Sequence, residues 1–195
     1  MTVESGTAGQ APGKLFQGCD GRIFNKVMGL IHEGKQAMTT INEAAQEFLS
    51  QKRIAVAGVS RTSAGHGANP VYRRLRERGY EVFAVNPNAD TVEGDPCYRD
   101  LRSIPGGVDA VVIGTTPAMA ESVVRDCHEL GITRVWMHRG FGEGSVSEAA
   151  ADFCRRNGMS VIAGGCPLMF EPTSDFSHRA MCWYLNLRGA IPKEV

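Results

Sequence analysis

The run Arg53-Ile54-Ala55-Val56-Ala57-Gly58-Val59-Ser60-Arg61 ends an unbroken apolar stretch in a glycine, a hydroxyl and a guanidinium, and a helical pattern restarts at Asn69-Pro70. A strand, a polar loop and a helix in this order let backbone N–H groups and a helix N-terminus hold a phosphate. Ser60 and the loop N–H groups would donate to a pyrophosphate, each charge-assisted bond being worth about 1.5–3 kcal/mol, and Arg61 adds a planar cationic fork. Gly65 and Gly67 permit close backbone approach, and His66 offers a further donor. The loop lacks the full G-x-G-x-x-G spacing. The next apolar stretch ends in Val85-Asn86-Pro87, where dinucleotide dehydrogenases place an acid on the ribose hydroxyls, so an NAD-type site is disfavoured.

Two further positions carry reactive side chains at expected strand ends. His138-Arg139-Gly140-Phe141-Gly142 places an imidazole where the far end of a ligand would arrive, and Gly164-Gly165-Cys166-Pro167 places a thiol on a glycine turn. A cysteine exposed there would be a nucleophile, since N–H-rich turns favour a thiolate. No base stands beside it in sequence, and the favoured reading is that Cys166-Pro167 shapes a tight turn. Glu171, Asp175 and His178 match neither a metal set nor a triad. The six cysteines contain no C-x-x-C pair, so no metal site is expected, and Cys127 and Cys154 read as buried helix residues.

These residues need elements to position them. In 195 residues, 43% of them hydrophobic, one domain with a substantial core is expected. Lys plus Arg equals Asp plus Glu at 21 each, which leaves no field to attract nucleic acid or an anionic membrane. No apolar run approaches the roughly 18 residues of a spanning helix, and no signal-peptide order opens the chain, so a cytoplasmic protein is expected. Residues 1–38 read as an N-terminal extension, polar at first and then amphipathic over 22–32, with residues 39–195 forming the domain.

Thr40 and Glu43 make a capping box for a helix ending near Ser50. Strands over 53–59, 80–86, 108–114, 134–138 and 159–163 alternate with helices over 69–78, after Pro117 and after a second capping box, Ser145 with Glu148. The helix after Pro117 presents Val123, Cys127 and Leu130 on one face. Between Pro87 and Gly107 only a short strand at Cys97-Tyr98 and a helical turn through Leu101 are expected. This irregular crossover implies that the chain reverses across the sheet, making a topological switch point between the Gly58 loop and the Thr115 loop, where open parallel sheets bind ligands. The fold class is therefore α/β, a Rossmann-like doubly wound parallel sheet. A last helix over 176–188 has too many apolar faces to stand free, which suggests a homodimer contact.

The strand and loop from Ile54 to Arg61, the stretch Gly79-Tyr80-Glu81-Val82-Phe83-Ala84-Val85-Asn86-Pro87 and the strand Asp109-Ala110-Val111-Val112-Ile113 resemble the small stand-alone CoA-binding proteins. Those are related to the N-terminal CoA-binding domain of the succinyl-CoA synthetase alpha subunit. The resemblance runs from about Ile41 to Cys166 and includes the aromatic strand Val135-Trp136-Met137. It implies that the loop Gly58-Val59-Ser60-Arg61 holds the phosphates of coenzyme A, that Asn86 and Pro87 border the ribose, and that Thr115, Thr116 and Pro117 border the adenine. Where relatives carry a basic residue at the start of the first helix this chain has Asn69-Pro70, with Arg73 and Arg74 one turn on as replacements. Cys166 would reach the CoA thiol in a mixed disulfide. The expected function is binding of CoA or a short acyl-CoA without catalysis. The alternatives are an NAD(P)-dependent oxidoreductase and a regulatory subunit that docks a partner through its C-terminal helix.

Overall fold

The computed structural model describes residues 40–62, 67–140, 144–174 and 176–187. Helix α1 (Ile41–Leu49) opens on the expected capping box: Thr40 Oγ1 accepts the Glu43 N–H at 3.4 Å, and the Glu43 carboxylate accepts the Thr40 N–H at 2.9 Å. Those bonds hold the Glu43 carboxyl below its ordinary range. The helix buries Phe48 and Leu49, each worth about 1.5–3 kcal/mol on leaving water.

Strand β1 (Arg53–Ala57), helix α2 (Ala68–Glu77) and strand β2 (Glu81–Val85) follow. Strands β3 (Thr91–Val92) and β4 (Asp95–Tyr98) then form a small antiparallel pair. After it come β5 (Ala110–Ile113), α3 (Pro117–Glu129), β6 (Arg134–Met137), α4 (Glu148–Arg156), β7 (Ser160–Ala163) and α5 (Phe176–Leu187). The seven strands lie in the order β3-β4-β2-β1-β5-β6-β7. Val85 of β2 and Ile113 of β5 both pair with Ala57, from opposite sides of β1. The reversal expected from the irregular crossover is thus present, and the switch point lies at the end of β1.

Both faces of the sheet are covered, which is why its strands read as continuous apolar runs. Ile54, Val56, Val112, Trp136 and Ile162 pack toward α1 and α2, whereas Ala55, Val111, Ile113, Val135 and Val161 pack toward α3 and α4. Trp136 anchors the first layer. Its ring meets Phe48 edge-on at 5.3 Å, and its indole N–H donates to the Gly164 carbonyl at 3.0 Å.

Two expectations about elements need correction. The second helical cap is Ser147, whose hydroxyl accepts the Ala150 N–H at 3.2 Å; Ser145 lies buried in the turn before it and donates its N–H to the His138 carbonyl. The fully buried residues of α3 are Ala120, Val124 and Cys127, with Val123 partly buried against the same layer, whereas Leu130 is exposed. The crossover after Pro87 holds the expected short strand at Cys97-Tyr98, as β4 paired in parallel with β2 through Ala84↔Cys97 and Val85↔Tyr98, and adds β3, which pairs with β4 antiparallel. Two-residue β3 is too short for periodicity to reveal. Cys127 and Cys154 are buried as expected, and burial pushes the Cys154 thiol up to about 11. Among the described residues no helix is long and apolar enough to cross a membrane.

Candidate functional site

The switch point is built by two backbones in close approach. Gly58 leaves β1 with φ +90° and donates its N–H to the Val85 carbonyl at 2.9 Å, while the Gly114 N–H donates to the Ala57 carbonyl at 2.8 Å. A Cβ on Gly58 would lie 2.8 Å from the carbonyl carbon and oxygen of Gly114, and one on Gly114 would lie 2.5 Å from the Ala68 Cβ. Only glycines let β1, β5 and the start of α2 meet this closely.

Beside this crossing a cleft of about 270 Å³ opens between the ends of β1 and β2 and the first turns of α3. Gly58, Val85, Asn86, Pro87 and Thr115 line it from the strand ends, and Leu101, Met119 and Val123 supply apolar surface. Its lining is suited to a flat apolar group with a polar edge. Arg99 contributes a guanidinium that is 75% exposed and lies 3.9 Å from the Asp90 carboxylate. Of the two carboxylates in the lining, Asp100 accepts the Ser103 N–H at 2.8 Å and Asp126 faces Arg102 at 3.7 Å. The wall formed by Arg99, Leu101, Met119 and Val123 had no sequence signal, since it exists only once β4 pairs with β2 and brings residue 99 beside Asn86.

The loop residues have specific duties. Val59 buries its side chain completely, leaving only its backbone for a ligand, and its carbonyl accepts from Asn86 Nδ2 at 2.8 Å. Asn86 Oδ1 accepts the Asn88 N–H at 2.9 Å, so both ends of the Asn86 amide tie loops together. The Ser60 N–H is taken by Asn69 Oδ1 at 2.8 Å, which corrects the expectation that it would donate to a phosphate; the Ser60 hydroxyl lies 3.3 Å from that of Thr62. Arg61 is exposed beside them, and His66 lies outside the described residues. Thr116 is the N-cap residue of α3 and Pro117 its first helical residue; of the three adenine-side candidates only Thr115 lines the cleft.

Arg73 and Arg74 do not stand in for a missing phosphate ligand as simply as their positions suggested. Arg73 pairs with Glu93 at 3.1 Å and Arg74 with Glu77 at 3.0 Å.

His138 and Cys166 belong to neighbouring but different surroundings. His138 is 9% exposed, and a Cβ on Gly67 would touch its ring at 2.9 Å. Burial, helped by the charge of His178, lowers its pKa to about 4, so the imidazole is neutral near neutral pH. Cys166 is 3% exposed and packs in the same layer as Phe48, Trp136 and Phe170, which removes the exposed-thiol reading and agrees with a structural turn at Cys166-Pro167. Cys166 is the N-cap of the short 3-10 turn Pro167–Met169.

Residues 52–172 match the family described as CoA binding domain, more than half of the chain. The chain belongs to the CoA-binding domain family. Its curated relatives include acetate–CoA ligase [ADP-forming] II of Archaeoglobus fulgidus, 34% identical over 130 residues, which covers 65% of this chain and 19% of the ligase. The alpha subunit of acetate–CoA ligase [ADP-forming] II of Pyrococcus furiosus is 29% identical, with 27% of its length covered, so this chain spans about a quarter or less of those ligases. YneT of Bacillus subtilis, an uncharacterized protein, is 29% identical with 82% of its length covered and 59% of this chain. Among solved structures, a hypothetical protein from Pyrococcus horikoshii OT3 superposes with a TM-score of 0.60 at 26% identity, covering 69% of this chain and 94% of the other. The CoA-binding domain family shares its superfamily with the N-terminal domain of the succinyl-CoA synthetase alpha subunit, as the sequence resemblance implied.

Proposed function

We propose that this chain binds coenzyme A or a short acyl-CoA and has no catalytic step of its own. The observation that carries the proposal is the cleft at the switch point, apolar along Leu101, Met119 and Val123 and bordered by Gly58, from which the chain leads two residues on to the Ser60-Arg61 turn. In this reading the adenine occupies the cleft beside Thr115, the ribose lies over Asn86-Pro87, and the phosphates run along the loop toward Arg61. The NAD(P) alternative is weaker because the residue after β2 is Asn86, whose amide is already used at both ends.

Ligand that binds only the folded state stabilises it by mass action. CoA is therefore expected to raise the melting temperature more than NADP or NAD at equal concentration, and Arg61→Ala is expected to weaken CoA binding by about 1.5–3 kcal/mol in calorimetry. A larger shift with NADP would replace the CoA reading by the oxidoreductase one. The exposed residues of α5 favour one addition, that a second copy of this chain covers them. Phe176, Ala180, Trp183 and Leu187 recur at helical spacing along one face, the self-matching ridge that a two-fold pair of helices requires.

A further inference from the structure

Asn69, the second residue of α2, is completely buried and makes three hydrogen bonds with its amide. Its Oδ1 accepts the Ser60 N–H at 2.8 Å, while its Nδ2 donates to the Ser60 carbonyl at 2.9 Å and to Glu93 Oε1 at 2.8 Å. This pattern admits one amide orientation only. Turned over, Nδ2 would face an N–H, and Oδ1 would face a carbonyl and a carboxylate. Glu93 sits on the β3–β4 hairpin with φ +53°, the only described residue other than glycine with positive φ, and the same Oε1 accepts from Arg73 at 3.1 Å. A backbone held there is maintained by its surroundings. A carboxylate near a phosphate loop would repel the ligand, but Arg73 offsets this charge while the oxygen still orients Asn69.

We propose that Asn69, oriented by Glu93, is a positioning residue that sets the conformation of the Ser60 turn for a phosphate-bearing ligand. The hairpin, which does not line the cleft, thereby governs ligand affinity through the turn. The inference rests on the CoA reading for the identity of the ligand and on the hydrogen bonds above for the positioning.

Three variants test it, with CoA affinity by calorimetry and Ser60 amide hydrogen exchange in the ligand-free protein as readouts. Asn69→Asp keeps the shape but sets a carboxylate against the Ser60 carbonyl and Glu93; CoA affinity should fall about tenfold or more. Glu93→Ala, at the rim of the fold, should weaken CoA binding by about threefold or more and speed Ser60 exchange by about tenfold, because Asn69 loses one of its orienting bonds. Adding Glu93→Gln to Asn69→Asp restores a donor facing an acceptor and should recover part of the lost affinity. A general loss of structure would give no such recovery. Binding within about twofold of wild type in both single variants, or unchanged Ser60 exchange in Glu93→Ala, would overturn the positioning role while leaving the CoA reading intact. If the wild type fails to bind CoA, that reading falls, and the exchange measurement alone decides whether Glu93 and Asn69 set the turn.

Discussion

His138 shows how one residue at a strand end couples the site to pH. Its pKa near 4, against an ordinary 6.5, arises first from burial and second from His178. Because the folded state takes up the proton less readily than the unfolded chain, stability falls as pH drops from about 6.5 and the loss is complete near pH 4, amounting to about 3 kcal/mol. Urea unfolding followed between pH 7 and pH 5 should show this slope, and His138→Gln should flatten it. The carboxylates act lower. Hydrogen bonds from Asn69 to Glu93 and from Thr40 to Glu43 hold both acids below their ordinary value, so their contribution disappears only as pH falls below about 4.5. A slope unchanged by His138→Gln would mean that the imidazole is solvated in the folded protein. Ser60, Arg61 and Asn86 were legible as polar loop residues beyond the ends of β1 and β2. Their partners were not, because the bonds from Asn69 to Ser60 and from Asn86 to Val59 span 9 and 27 residues.

At the scale of elements, the capping box at Thr40 and the glycine stops were readable because each is a local hydrogen-bonding or backbone requirement. Strand β3 and the wall of the cleft from Arg99 to Leu101 were not, since β3 forms only by pairing with β4 and the wall only once β4 pairs with β2. The close approach of the chain at the ends of β1 and β5 can be tested with a matched pair of substitutions. Gly58 and Gly79 both have positive φ, +90° and +82°, but a Cβ at Gly79 meets nothing within 4 Å, whereas at Gly58 it meets Gly114 and Thr115. Gly79→Ala should cost only the backbone strain, about 1–3 kcal/mol, and leave CoA affinity unchanged. Gly58→Ala should cost more in urea unfolding and also weaken CoA binding, because β5 and Thr115 must move away from the cleft. Equal costs for the two would mean that the close approach at Gly58 contributes nothing beyond its dihedral angle.

For the molecule as a whole, α5 is half committed. Met181 and Cys182 pack against the layer that holds Trp136, while Trp183 is 68% exposed and Phe176 89%. Trp183→Glu is expected to halve the sedimenting mass and to leave CoA affinity unchanged, since the stripe does not contribute to the cleft; a wild type that sediments as a monomer would remove the dimer from the proposal. The sequence by itself determined the α/β class, the alternation of strands and helices, the reversal after β2 and the glycine at which β1 gives way to a polar loop. Those are written in local terms: apolar runs, caps, glycine stops and the ending Val85-Asn86-Pro87. Only the tertiary structure decided that Cys166 is buried, that the Ser60 N–H is consumed, that Asn69 and Glu93 bridge the loop to the hairpin, and that residues 99–126 complete the cleft. Each of these depends on contacts between residues distant in sequence. Burial and hydrogen-bond satisfaction are properties of the packed neighbourhood, which no short window of residue types contains.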